Sequence, residues 1–264
     1  MTTCNIICTY NRTIYGTGND QIKKFSSSGL SNFHVLFDLK EQEDFTQKFL
    51  EDKYESKICI YGDKDFIYHN LNKPISKNHR WGCHQNPKYF YAHYRMLIFY
   101  LNNPEYNYYW FFDDDVDFKG DINQFLNRYE TESDDFIAIQ AFKKDQYEEF
   151  PRISCIKEPG QIIEHSWFSS CPGDGDVFKS QNRLIGSFFP IVRFSNRSMK
   201  HLWNLHKDGF YGYSEGFVPT SLGCDGFKVS SMMDKNNNFF IENDTACELL
   251  HQNIPFTWSW LRLI

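Results

Sequence analysis

The apolar residues of this chain fall into two alternating patterns: short continuous runs, and longer stretches where they recur three or four positions apart. CNIICTY (Cys4 to Tyr10), HVLFDL (His34 to Leu39) and KICIYGD (Lys57 to Asp63) have the length and side-chain types of buried strands. Between the second and third runs, Phe45, Phe49 and Leu50 stand at helical spacing among charges. Strand, helix, strand opens a βαβ series and predicts a parallel sheet. Pro87 suits the first turn of a helix, and Phe90, Tyr94, Leu97, Ile98 and Leu101 form one apolar face ahead of Asn102-Asn103-Pro104. After the run YYWFF, Asp121 is a good N-cap for a helix presenting Ile122, Phe125, Leu126 and Tyr129. Asp134 to Phe142 and Arg183 to Ser195 read as further strands, and NRSMKHLWNLHKDG as a helix stopped by Gly209. The expected fold class is α/β: a mostly parallel central sheet flanked by helices, with an irregular Gly-, Pro- and Ser-rich segment from Glu148 to Asn182.

Composition narrows the function classes. With 264 residues, 41% of them hydrophobic and 18% aromatic, the chain can bury a full core as one large domain. Its net charge of -6 comes with no Lys/Arg stripe, which excludes the usual nucleic-acid binder. The eight cysteines include no C-x-x-C pair, against a zinc ribbon. Cys8 and Cys59 sit in apolar runs as free buried thiols do. MTTCNIICTY lacks the basic-then-apolar order of a signal peptide, and no apolar run is long enough to span a bilayer. The expected location is therefore the cytoplasm, with reduced thiols.

The chemistry concentrates at NYYWFFDDDVDF, Asn107 to Phe118. A buried strand cannot carry three adjacent carboxylates. Asp113, Asp114 and Asp115 must therefore lie at its C-terminal end, where an open α/β sheet holds its ligands. Side chains alternate along an extended chain, so Asp113 and Asp115 point one way and Asp114 the other. Two oxygen ligands on one side suit a hard divalent cation that takes its remaining ligands from water and a substrate phosphate. A calcium EF-loop does not fit. Counted from Asp113, its glycine and glutamate places hold Phe118 and Gln124; counted from Asp115, Gly120 fits but the last place is Leu126. The haloacid-dehalogenase phosphatase pattern fails too, since its fifth place is Asp117 or Lys119. A phosphohydrolase would also need a distant Lys with a partner Asp in an arrangement this chain lacks. The plainest alternative is a solvated acidic turn after a core strand.

What remains is the strand–DxD signature of nucleotide-sugar glycosyltransferases with the GT-A fold. The segment YAHYRMLIFYLNNPEYNYYWFFDDDVDFKGDINQFL resembles the DxD region of glycogenin-like and bacterial lipopolysaccharide hexosyltransferases over about one seventh of the chain. In those enzymes a Tyr-x-Arg-like helix precedes the strand, and Gly-Asp-Leu/Ile opens the next helix. The resemblance implies that Arg95 contacts the nucleotide or braces the aspartates. It also implies that Asp113 and Asp115 bind Mn²⁺ or Mg²⁺ and the donor diphosphate, with Asp113 and Asp114 against the nucleotide sugar. Thr9, Tyr10 and Arg12, in the string TYNR, resemble the end of the first strand of such enzymes, where the base lies. Asp38 and Asp63 end the next two strands, where a base or ribose would meet them; each also fits a cap or turn. The loop Asn70 to Asn86 mixes Lys73, Lys77, Arg80 and Trp81, which suits either a diphosphate cover or a solvated crossover.

Several GT-A families place an acid before an apolar helix, beside the acceptor hydroxyl. Glu215, ahead of FVPTSL, is the matching residue, with Gly216 where a second acid stands in the family. As a general base Glu215 would give inversion, whereas the DxD resemblance implies retention. As a structural residue it would be an acid at a helix N-terminus. His251 is the candidate third metal ligand that many such enzymes supply near their C-terminus. The expected organisation is a single domain, 1–264, with a nucleotide-sugar half (1–140) and an acceptor half (141–264). The expected activity moves a sugar, favouring a UDP-hexose donor, to a glycan or lipid-linked acceptor in surface polysaccharide synthesis. A non-catalytic carbohydrate- or metal-binding domain is the other reading. Trp258, Trp260, Leu261, Leu263 and Ile264 either close the core or make peripheral contact at the inner face of a membrane.

Overall fold

The computed structural model describes residues 2–10, 17–38, 47–72, 91–113, 116–118, 121–143, 185–212, 214–232 and 262–263. In chain order the first elements are β1 (Thr3–Tyr10), α1 (Thr17–Ser27), β2 (Phe33–Asp38), α2 (Gln47–Tyr54), β3 (Lys57–Tyr61), α3 (Asp63–Tyr68), α4 (Ala92–Asn102) and β4 (Tyr108–Asp113). Then come β5 (Asp117–Phe118), α5 (Ile122–Asn127), β6 (Phe136–Lys143), β7 (Ile185–Ser195), α6 (Asn196–Lys207), α7 (Ser214–Cys224), β8 (Val229–Ser231) and β9 (Arg262–Leu263). A seven-stranded sheet runs β3-β2-β1-β4-β7-β6-β8, and β5 pairs with β9 in a separate two-stranded sheet.

Strands β3, β2, β1 and β4 are parallel, as are β6 and β8; β7 alone runs antiparallel to its neighbours β4 and β6. The chain moves outward from β1 to β2 to β3, then returns to lay β4 on the other side of β1. The order reverses between β1 and β4. Such a switch point opens a crevice outside the carboxyl ends of the two strands, which is where open α/β sheets bind ligands.

Both faces of the sheet are covered, and side-chain alternation sorts them. Tyr109 and Phe111 of β4 join Cys4, Ile6, Cys8, Leu36 and Tyr61 in a core shared with α4, α6 and α7. Trp110 and Phe112 join Ile7, Val35, Phe37 and Ile58 in a second core with α1, α2 and α5. Trp110 packs edge-on against Tyr129, ring centroids 5.2 Å apart, and beside Phe125 at 5.3 Å.

Three expectations need correction. The helix carrying Arg95 begins at Ala92 with Tyr91 at its cap, beyond Pro87, which lies outside the described residues. It is buried all round, from His93 to Tyr100, rather than along one face, because β3, α3, α6 and α7 all pack on it. Strand β3 ends at Tyr61; Asp63 opens α3 instead, behind Gly62, whose N–H donates to Asp65 Oδ2 at 2.8 Å. Other expectations hold. Asp121 caps α5, accepting from the Asn123 N–H at 2.9 Å. Gly209 follows α6 with a φ of 92°, the left-handed turn that ends many helices. Cys8 is a buried thiol and Cys59 a half-buried one, neither in a disulfide. Among the described residues, no helix is long and apolar enough to cross a membrane.

Candidate active site at the carboxyl edge of the sheet

Asp113 is the last residue of β4, opposite Cys8 of β1, so it stands at the switch point. Alternation puts it on the face of Tyr109 and Phe111, which is the face α4 covers. There it meets Arg95 from α4. The guanidinium Nη2 donates to Asp113 Oδ1 in an ion pair. The Arg95 side chain is 2% exposed and that of Asp113 19%. A buried arginine needs such a partner, because an uncompensated charge in the interior costs several kcal/mol, on the order of 3–5.

The same parity gathers other groups around Arg95. Asp38 ends β2 and pairs in register with Tyr61, the end of β3. Both are buried. Burial pushes the Tyr61 hydroxyl well above its usual pKa; the neighbouring Arg95 pulls the other way, while Asp38 and Cys8 add to the rise. Tyr61 therefore stays a neutral phenol. Among the described residues, the carboxyl edge thus sets the buried Arg95 among two carboxylates and a phenol, from β2, β4 and β3, beneath α4.

A second helix reaches this edge. Because β7 is antiparallel, its first residues, Ile185 to Ser187, extend past the end of β4 and pair only with Ala141 to Lys143 of β6. Pro190 sits where the β6–β7 register shifts, just beyond the last β4 pair at Ile191, so its missing N–H interrupts no regular ladder. α7 packs on this part of β7. Glu215 is the second residue of α7, within its first turn rather than ahead of it, and is 6% exposed.

Thr9 and Tyr10 form the carboxyl end of β1, and Asp63 is exposed in the first turn of α3. Arg12, Asp114, Asp115 and His251 lie outside the described residues. Among the described residues, no three His, Cys, Asp or Glu side chains converge closely enough to hold a metal ion. Asp113 by itself fits a hard cation. It offers carboxylate oxygen and keeps solvent access at a strand end. Sequence reasoning missed His93, Ser214 and Ser187: His93 bonds to Ser214 at the start of α7, and Ser187 to the Glu215 carbonyl. A histidine inside an apolar helix and serines in a strand and a helix start carry no signal until the elements are brought together.

No protein-family model matches the chain, and no curated protein matches it in sequence. Among solved structures it is similar to mouse xyloside xylosyltransferase 1 in its apo form, at 9% identity and a TM-score of 0.44, over 99% of this chain and 94% of that one. It is also similar to a mannosyltransferase from Pyrobaculum calidifontis in complex with GDP-Man and Mn²⁺, at 9% identity and 0.41, over 87% of this chain and 54% of that one. A Bacillus anthracis protein described as a glucose-1-phosphate thymidylyltransferase, in complex with sucrose, is similar at 8% identity and 0.43, over 98% and 99%.

Proposed function

We propose that this chain is a metal-dependent glycosyltransferase of the GT-A type. It takes a sugar from a nucleoside-diphosphate donor, a UDP-hexose by preference, and passes it to a hydroxyl of a glycan or lipid-linked acceptor. The observation that carries this reading is the placement of Asp113: it ends a buried strand at the switch point, and Arg95 braces it from α4. A solvated acidic turn would need no buried arginine behind it.

In this reading Asp113 and Asp115, with His251, hold Mn²⁺ or Mg²⁺, and Thr9, Tyr10, Arg12, Asp63 and Asp114 line the nucleotide sugar. The cation, when bound, supplies positive charge to the diphosphate leaving group. Arg95 fixes the carboxylate of Asp113 and adds a second positive charge at the same edge. Glu215, 6% exposed in the first turn of α7, takes the proton from the acceptor hydroxyl as general base. Attack is then direct and the anomeric configuration inverts.

Purified protein incubated with nucleotide sugars and Mn²⁺ should release nucleoside diphosphate, and EDTA should stop the release. Glu215→Gln should lower kcat by roughly 10²- to 10⁴-fold while nucleotide affinity holds. NMR of the product anomer gives the stereochemistry. Retention of configuration, or full activity in Glu215→Gln, removes Glu215 as the base.

A further inference from the structure

The first turn of α7, which carries Glu215, is held from two elements at once. On one side, the N–H of His93 donates to Ser214 Oγ at 3.2 Å, and that hydroxyl lies 2.8 Å from His93 Nδ1. Ser214 Oγ thus bridges the backbone N–H and the ring of His93, and the ring contact forms with either partner as donor. Burial, then nearby His206, pushes the His93 pKa down to about 3, so the ring is neutral. His93 is packed between Tyr94 and Phe217, ring centroids 4.5 and 5.7 Å away, which fixes the imidazole.

On the other side, the helix itself exposes the Glu215 carbonyl. Residue 219 would supply its helical N–H partner four positions on, but Pro219 has none. Ser187 Oγ of β7 donates to that carbonyl instead, at 3.2 Å. Ser187, His93 and Ser214 are all buried, which removes them as direct contacts for a substrate in solution.

We propose that His93, Ser214 and Ser187 are positioning residues, a clasp that sets the first turn of α7 so that Glu215 faces the acceptor beside Asp113. The clasp ties Glu215 to α4, the helix that also holds Asp113 through Arg95. It rests on the reading of Glu215 as the base. Its function is alignment, so its loss lowers the chemical step and leaves donor binding in place; a misplacement near 1 Å can cost on the order of 10²-fold.

The test uses the full chain, Mn²⁺, and whichever UDP-, GDP-, dTDP- or ADP-hexose the wild type hydrolyses, with water as acceptor. Ser214→Ala and His93→Phe should lower kcat by roughly 10- to 100-fold with donor KM nearly unchanged. His93→Asn, whose amide keeps a hydrogen-bonding group where Nδ1 stood, should recover most of the loss, as should Ser214→Thr. Equal impairment of His93→Asn and His93→Phe, KM rising in step with the fall in kcat, or unaltered kcat overturns the clasp while leaving the glycosyltransferase reading intact. Should the wild type hydrolyse no donor, that reading falls and the clasp with it. ¹⁵N NMR of the unmodified protein is independent of any variant's folding: a neutral His93 ring with Nδ1 hydrogen-bonded is the expected result, and a ring whose Nδ1 shows no hydrogen bond overturns the clasp.

Discussion

Two aspartates at opposite edges of the sheet show how the same pairing serves different ends. Asp135 lies just before β6 at the amino edge, where Arg197 Nε and Nη2, Ser195 Oγ at 2.9 Å and the Lys228 N–H at 3.0 Å all donate to it. It is enclosed and faces nothing but protein. Burial alone would raise its pKa, but those hydrogen bonds outweigh burial and hold it below the usual carboxylate value. A depressed folded pKa means a contribution that is complete above the unfolded value near pH 4 and lost as pH falls through the folded one. Asp135→Asn should therefore cost about 1.5–3 kcal/mol at pH 7. The gap from wild type should close as pH falls below the usual carboxylate range, read as denaturant midpoints across pH; a gap that widens in acid contradicts the assignment. Asp113 has one guanidinium behind it and solvent in front. In the proposed reading that asymmetry, more than the acid itself, makes the carboxyl edge the working one. The DDD run announced Asp113 in sequence. Nothing announced Asp135, because an acid before a strand is ordinary until Arg197 and Lys228 are brought to it.

At the scale of elements, the apolar rhythm located most strands and helices, and it went astray where packing exceeded what rhythm encodes. α4 read as a one-faced helix because His93 and Arg95 interrupt its apolar positions. In the fold both are enclosed, each bonded to a partner from a distant segment, Ser214 and Asp113. The direction of β7 was not legible either: an apolar run looks the same parallel or antiparallel, and only the β4 and β6 registers settle it. Punctuation by glycine was legible. Gly209 takes a φ of 92° after α6, and an added Cβ would meet no atom within 4 Å, so a substitution there is penalised by backbone strain alone. Gly209→Ala should destabilise the protein by about 1 kcal/mol without altering catalysis. A loss of several kcal/mol in thermal or chemical melts would point to a packing role that the open space around it denies.

Across the whole molecule, the reversal of strand order between β1 and β4 does what no single motif can: it brings Cys8, Asp38, Tyr61 and Asp113, from four separate strands, to one edge beneath α4 and α7. The class of fold and this edge were readable from runs, spacing and the aspartates. The partners behind the edge were not, since they depend on which distant segments share a face. Asp113 as a donor-site ligand is the central claim, and thermal unfolding tests it most directly. Wild type and Asp113→Asn are melted with UDP, GDP, dTDP and ADP, each with and without Mn²⁺. Asp113→Asn lowers the starting stability because Arg95 loses its partner, so each protein is compared with itself. A nucleotide at one hundred times its Kd should stabilise the wild type by about 2.7 kcal/mol, only with Mn²⁺, and leave Asp113→Asn unmoved. No shift with any nucleotide, or equal shifts in both proteins, would contradict a donor site at Asp113.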